Sequence, residues 1–394
     1  MKILYITYDG LLEPLGQSQV LAYQKKLSEE FDIFLLSFEK SADLKNRELL
    51  QLMQKRVSNA SIKWIIRKYH KAPSILATGY DLFAGLIHCS YLVLRYKIKV
   101  IHARSYPPAL IALLLKKFFG IKFIFDMRGF WADERVDGNI WKRDSQIFKI
   151  TKLLEKSFIS NSDHIISLTN AATVEINKFP YVTADSLNIS VISTCVDLEK
   201  FSLKQSSQPG SHFTLGYLGT VGTWYLFQET VQAFKILLDI KPDAKILIVN
   251  KGEHKFIVES LQNLRIPLSS IEILEASHDE IPSLIRRMDA TVFFLKPLFS
   301  KQASAPTKLG EFLASGIPCL TNNGVGDMGD ILRLSGAGKV IDELNENSIK
   351  KGVNGLIELT QQKDIMIKCR KAAALNFSLS DGVASYSKIY KSLF

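Results

Sequence analysis

The chain of 394 residues has four cysteines, Cys89, Cys195, Cys319 and Cys369, and no two stand at CxxC spacing. That excludes a disulfide framework, a redox dithiol and a thiolate zinc site, and scattered cysteines suit a reducing compartment. Long uncharged apolar runs are scarce too. The start, MKILYITYDG, is apolar only as far as Asp9, unlike a signal peptide. Residues 75–94 approach membrane-spanning length, but Asp81 and His88 interrupt them, and isolated ionisable groups are costly in hydrocarbon. A buried or interfacial helix is the expectation there. Short repeats and low-complexity stretches are lacking. Apolar residues make up 47% and charged residues 23%, which are globular values, and the length suits two or three domains.

Charge of one sign is unevenly distributed. The formal net charge is +11, which favours anionic partners. Residues 1–205 carry 29 Lys and Arg against 20 Asp and Glu, a net of +9; the remainder carries 21 against 19, a net of +2. The excess concentrates in KWIIRKYHK (63–71), RYKIK (95–99) and KKFFGIK (116–122). Cations mixed with aromatic and aliphatic groups fit an anionic lipid surface. They also fit a solvated face whose Lys and Arg stems cover apolar surface. A nucleic-acid recognition motif is not found, so no nucleic-acid partner is expected.

Apolar strand-like runs alternate with helical patterns throughout. Strands are expected at 2–7, 32–37, 99–103, 121–126 and 164–168, with helices at 17–30, 80–97, 106–118 and 145–161. Residues 202–212 (SLKQSSQPGSH) read as a linker. A second series has strands at 213–218, 244–249, 271–274, 290–295 and 317–321. Its helices lie near 226–239, 279–287, 306–315 and 327–334, with closing helices near 362–392. Continuous apolar strands between helices imply parallel sheets covered on both faces. The fold class is therefore α/β, two Rossmann-like doubly wound domains in tandem, with ligands expected at the carboxyl ends of the strands.

Four segments carry chemistry. In YDGLLEPLGQSQV (8–20), Gly10 and Gly16 bracket a loop before a helix opening near Gln17. Its free N–H groups favour an anion, although an ordinary turn reads the same way and the GxGxxG form is lacking. FDMRGFWADERVDG (125–138) offers Arg128 and Arg135 to phosphate or sugar oxygens, and Asp126, Asp133 and Glu134 to hydroxyls; a solvated, internally paired loop is the other reading. In LGYLGTVGTWY (215–225), Gly216, Gly219 and Gly222 recur every third residue, and the last two let the backbone approach a pyrophosphate. In SAPTKLGEFLASGIP (304–318), Ser304 is a candidate N-cap, Pro306 suits a first turn and Gly316 a C-terminal stop. Lys308 at a helix N-terminus opposes the dipole and suggests a shared anion, and Glu311 one turn on can accept from a ribose diol. A surface Lys–Glu pair is the alternative.

With these segments in order, nearly the whole chain resembles glycosyltransferase family 4, the retaining sugar-nucleotide transferases of GT-B fold. ISTCVDLEKF (192–201), SDHIISLTNAATVEI (162–176), LGYLGTVG (215–222) and GEFLASGIPCLT (310–321) are similar to family segments in the family's order. SAPTKLGE and FDMRGFW are similar to a branch with a Ser-x-Pro-x-Lys motif that transfers amino- and deoxy-sugars to bacterial surface glycans. The resemblance implies domains at 1–203 for the acceptor and 204–375 for the sugar nucleotide, facing across a cleft, with a helix at 376–394 packing back on the first.

It implies that Glu311 binds the nucleotide ribose. The family's first motif Glu falls at Ala303, Thr220 and Thr223 stand where basic residues are common, and Arg128 takes the place of a His. The implied donor site comprises Gly16, Gln17, Gly219, Thr220, Gly222, Lys251, Ser277, His278, Pro306, Thr307, Lys308 and Glu311. Ser277 and His278 lie in ASHDEIP (276–282), which is similar to the base-reading loop. Arg128, Lys308 and Glu311 are the expected catalytic groups; Arg104, Tyr106 and Asp133 are the expected acceptor contacts. No metal or cofactor is expected beyond a UDP- or GDP-sugar donor. The expected setting is cytoplasmic, on the inner face of the membrane, with a glycan or lipid-linked acceptor. A sugar-nucleotide epimerase and a non-catalytic sugar-nucleotide-binding subunit are the alternative functions.

Overall fold

The computed structural model describes residues 1–72, 74–183, 187–204 and 212–394, without the side chains of residues 74 and 75. Most of the expected linker, residues 205–211, lies outside the described residues. The chain divides into two units. Unit 1 holds Met1–Ser193 and Ser380–Phe394, and unit 2 holds Thr194–Leu379.

Unit 1 is built on a seven-stranded parallel sheet. Its strands are β1 (Lys2–Thr7), β2 (Asp32–Glu39), β3 (Lys63–Lys68), β4 (Val100–Arg104), β5 (Lys122–Asp126), β6 (His164–Ser167) and β7 (Ile189–Val191), in the order β3-β2-β1-β4-β5-β6-β7. The central strands are buried almost end to end, β4 entirely, as expected of a parallel sheet with both faces covered. Local chemistry sets the helices. Tyr106–Phe119 starts with prolines in its first turn and stops at Gly120, whose φ of 66° is left-handed. Ser145 and Thr169 cap the helices Gln146–Asn161 and Asn170–Asn177 by accepting from Phe148 N and Ala172 N.

Unit 2 repeats the plan with β8 (Thr214–Leu218), β9 (Lys245–Val249), β10 (Ile271–Leu274), β11 (Ala290–Val292), β12 (Cys319–Asn322) and β13 (Gly338–Ile341), in the order β10-β9-β8-β11-β12-β13. Gly216 proves to be a packing residue of β8: a Cβ there would come 2.1 Å from Met288 Sδ. Gly316 does end the Thr307–Ala314 helix, with φ of 82°. Ser304 does not cap that helix; Pro306 occupies the N-cap, because a 3-10 turn at Phe299–Ala303 comes first.

Other expectations shift for clear reasons. The strand expected at 290–295 ends at Val292. Beyond it Leu295 N turns to the Asn322 side chain, and Phe294 O accepts from Leu226 N. The helix expected at 17–30 is broken into Pro14–Gly16, a π-helical turn at Gln17–Leu21 and Ala22–Leu27. The segment 63–71, read as a basic surface, supplies the edge strand β3. Strands β7 and β13 and the helices Arg47–Asn59, His254–Asn263 and Glu346–Thr360 were not anticipated.

The observed unit boundary falls before residue 203 because residues 194–203 are tied into unit 2. Arg370 donates to Leu198 O, Phe201 O and Ala314 O at 2.6–2.7 Å. Val196 N donates to Phe377 O, and Leu379 N to Val196 O. From Ser380 the chain joins unit 1: Ser387 Oγ donates to Glu30, Lys391 pairs with Glu30, and the Tyr390 hydroxyl lies 2.7 Å from His102 Nδ1. Arg370→Met strands three carbonyls and is expected to cost about 2–4 kcal/mol, since hydrogen bonds to charged groups are the strong ones. An unchanged urea midpoint would remove Arg370 from that role.

Candidate functional site

In a doubly wound sheet, strand order reverses at one point, and the strand ends there are left open as a crevice. Unit 2 reverses between β8 and β11, and unit 1 between β1 and β4. The charged side chains of interest gather at these two places.

At the unit 2 point, the loop after β8 turns at Gly219, whose φ is 94°. A Cβ on Gly219 would lie 3.5 Å from Lys308 Nζ, so the lysine sits directly under the loop. Lys308 and Glu311 are each only 7% exposed, which removes the surface-pair reading. Lys308 Nζ lies 3.7 Å from the Tyr225 ring centroid and 4.7 Å from that of Tyr217, and has no hydrogen-bond partner. A buried ammonium with only aromatic faces for company is costly. Burial drives its pKa down to about 7, against the pull of Glu311 and Glu253. Burial drives Glu311 up to about 7, with Lys308 opposing.

Two groups that sequence reasoning missed hold the loop in place. Asn250 Nδ2 donates to Gly219 O and to Glu253 Oε2, and Glu253 Oε2 also accepts from Val221 N at 3.1 Å. Gly219 N donates to Val249 O. Two loop amides are thus already used internally. The available signal was Asn-Lys-Gly-Glu at the end of β9. There Lys251, the expected phosphate cation, is exposed, while Asn250 is buried. Lys301 was missed as well: it is 4% exposed and its Nζ lies 3.7 Å from the Trp224 ring centroid. So was GVGDMG (324–329), a Gly-x-Gly-x-x-Gly turn between β12 and the Met328–Ser335 helix.

At the unit 1 point, Arg104 ends β4 and is 4% exposed, while Arg128 follows β5 and is half-buried. Arg104 Nε donates to Asp9 at 3.2 Å, and both arginines donate to Gln19 Oε1. Asp126 is fully buried; burial raises it, but Arg128, His102 and Arg104 outweigh that and hold its pKa low. Burial keeps the His102 pKa low. The backbone here is strained. Ser105 has φ 73° and ψ −179°, and Arg128 has φ 58°; such positions cost about 1–3 kcal/mol each and cluster at functional sites.

Other expected residues lie elsewhere or are occupied. Tyr106 is buried, with its hydroxyl donating to Glu155, and Asp133 is buried and paired with Lys152. Both polar groups have partners inside unit 1. The anion expected in the first glycine loop is internal: Glu39 accepts from Leu11 N and Leu12 N at 2.8 and 3.1 Å. Gly16 packs against Gly10, and Gln17 lies within the helical run, its N donating to Glu13 O. In the 276–282 loop, Ser277 N and Oγ both donate to Glu280, and the His278 ring lies 6.4 Å from that of Phe201. Thr220 is exposed, and Pro306 and Thr307 open the Lys308 helix. Among the described residues no group of three His, Cys, Asp or Glu is placed to hold a metal ion.

Comparison with known families follows this division. The Glycosyltransferase Family 4 model matches residues 24–200, and the Glycosyl transferases group 1 model matches residues 199–373. The chain is a family 4 glycosyltransferase.

No curated protein matches the transferase. Solved structures match along its whole length. A glycosyltransferase from Rickettsia africae has 15% identity and a TM-score of 0.73, covering 100% of this chain and 98% of its own. Sucrose-phosphate synthase from Thermosynechococcus elongatus has 11% identity and a TM-score of 0.74, covering 100% and 99%. Anabaena HepE in complex with UDP has 13% identity and a TM-score of 0.71, covering 100% of both. At these identities the likeness establishes the GT-B fold.

Lys308 and Glu311 give the transferase a testable pH signature. Glu311 has a folded-state pKa above its ordinary value, so the folded protein binds more protons and loses stability as pH rises toward about 7. Glu311→Gln is expected to abolish that loss between pH 5 and 7. Lys308→Met is expected to raise the melting temperature of the ligand-free protein at pH 6, where the buried cation is charged. A Glu311→Gln curve parallel to that of wild type, or a Lys308→Met protein no more stable than wild type at pH 6, would refute the assignment.

Proposed function

We propose that the protein is a retaining transferase that moves a sugar, of the amino- or deoxy-sugar kind, from a nucleoside diphosphate to an acceptor hydroxyl in bacterial surface-glycan synthesis. The observation that carries this is the buried, unpartnered Lys308 ammonium beneath Gly219 at the switch point of unit 2. A diphosphate is the partner that such a cation lacks. HepE structures hold UDP and UDP-glucose, which supports UDP as the first nucleotide to try, with GDP second.

In the proposed reaction the bond between the anomeric carbon and the phosphate oxygen breaks, and its electron pair leaves with the diphosphate. Lys308 stabilises the charge that develops there, where a fixed cation in a desolvated site acts most strongly. The acceptor oxygen bonds to the anomeric carbon on the same face and passes its proton to the departing phosphate. Glu311 takes the ribose, and unit 1 takes the acceptor. The chemistry calls on no metal or cofactor.

The reading extends to a membrane. No described helix is long and apolar enough to cross one. The Ser74–Tyr96 helix instead carries an exposed apolar stripe, Leu76, Tyr80, Phe83, Ile87, Tyr91 and Leu94, each 57–74% exposed. Its other face is anchored, with Asp81 accepting from His70 N and from the Tyr8 hydroxyl. A stripe spaced by three and four residues, in the unit with the cationic excess, suits shallow insertion into an anionic cytoplasmic leaflet bearing a lipid-linked acceptor.

Two experiments test these readings. Melting with UDP, GDP, ADP, dTDP and CMP should show a shift with one diphosphate. Saturation at 100 times the dissociation constant stabilises by about 2.7 kcal/mol. Lys308→Met and Glu311→Ala should each weaken that nucleotide at least about tenfold, or about 1.4 kcal/mol, while remaining folded. No shift with any nucleotide overturns the transferase reading. Separately, wild type should sediment with vesicles containing phosphatidylglycerol at low salt, and the Phe83→Glu, Ile87→Glu double variant should not. Retention of wild type in the supernatant rules out the membrane.

A further inference from the structure

Two like charges in unit 1 are held together around a neutral atom. Arg104 Nη2 and Arg128 Nη2 each donate to Gln19 Oε1 at 2.7 Å. The two nitrogens therefore lie no further apart than twice that distance, where guanidinium groups repel one another. Asp9 compensates Arg104 at 3.2 Å, and the buried Asp126 lies 3.9 Å from it. The oxygen between the two cations belongs to an uncharged amide, although an oxyanion would gain most at that spot.

The fold spends irregular backbone on this placement. Gln19 sits in the π-helical turn Gln17–Leu21, Arg104 precedes Ser105 with its φ of 73°, and Arg128 itself has φ 58°. Three separate departures from regular geometry thus converge on one pair of cations at the switch point of unit 1. Beside them Asp126 Oδ1 is buried without a hydrogen-bond partner. The donor diphosphate already has its own buried cation, Lys308, in unit 2.

We infer that Arg104 and Arg128, spaced by Gln19, receive an oxyanion carried by the acceptor, a phosphate ester or a carboxylate, and so select charged over neutral acceptors. This rests on the transferase reading above. Guanidinium forks recognise both groups, so the two sources are separated by experiment.

The protein, saturated with whichever nucleoside diphosphate stabilises it or ligand-free if none does, is titrated calorimetrically with inorganic phosphate and, separately, with glucuronate. At least one should bind, and the one that does names the acceptor group. Arg128→Asn, chosen because Asn tolerates positive φ, should weaken that binding at least tenfold. Gln19→Glu puts a carboxylate oxygen between the guanidiniums; it should raise the melting temperature and abolish the binding. Lys308→Met should leave the binding in place. The inference is overturned if neither anion binds, if binding survives both unit 1 variants, or if the anion displaces the nucleotide. The last result would assign the arginines to the donor and leave the transferase reading standing.

Discussion

The structure depends on a constraint that both sheets obey: strand order reverses once, and side chains at the reversal face a crevice that no crossover connection fills. In unit 2 the reversal exposes the loop carrying Gly219 and the space under it occupied by Lys308. In unit 1 it places Asp9 and Arg104 on neighbouring strand ends, with Arg128 one strand further on. Polar groups without protein partners are found at both points, Lys308 Nζ in one and Asp126 Oδ1 in the other. A fold that buries such groups forgoes stability, and binding sites are where that loss is tolerated.

The sheets were legible in the sequence because their central strands are continuous apolar runs. β1, β2 and β9 read directly as KILYIT, DIFLLS and AKILIV. Among the edge strands β10 was legible as IEIL, while β3, β7 and β13 were harder. β3 is cationic and half-buried, and its composition pointed to a lipid surface instead of a sheet. β7 and β13 are three and four residues long, too short for a periodic signal.

The site was legible in part. Lys308 and Glu311 stood out because a cation is misplaced at a helix start, and burial of both explains why. Asn250 and Glu253 escaped notice because their work is done on another strand's loop, which sequence neighbours cannot reveal. Tyr106 and Asp133 show the converse. Each belongs to a polar segment next to a strand end, yet its side chain points into the domain, where Glu155 and Lys152 take it up. The first glycine loop misled because Glu39, far off in sequence, supplies the anion that its amides want.

The return of Ser380–Phe394 to unit 1 has a consequence for how the chain comes off the ribosome. Every residue of unit 2 is synthesised before this segment, so the unit begun second can be finished first. Unit 1 meanwhile waits with Nδ1 of His102 unmatched and Glu30 unpaired until Tyr390, Ser387 and Lys391 arrive. Domains usually mature in the order of their synthesis; here completion runs in reverse, and an interrupted chain would contain a whole unit 2 joined to an unclosed unit 1.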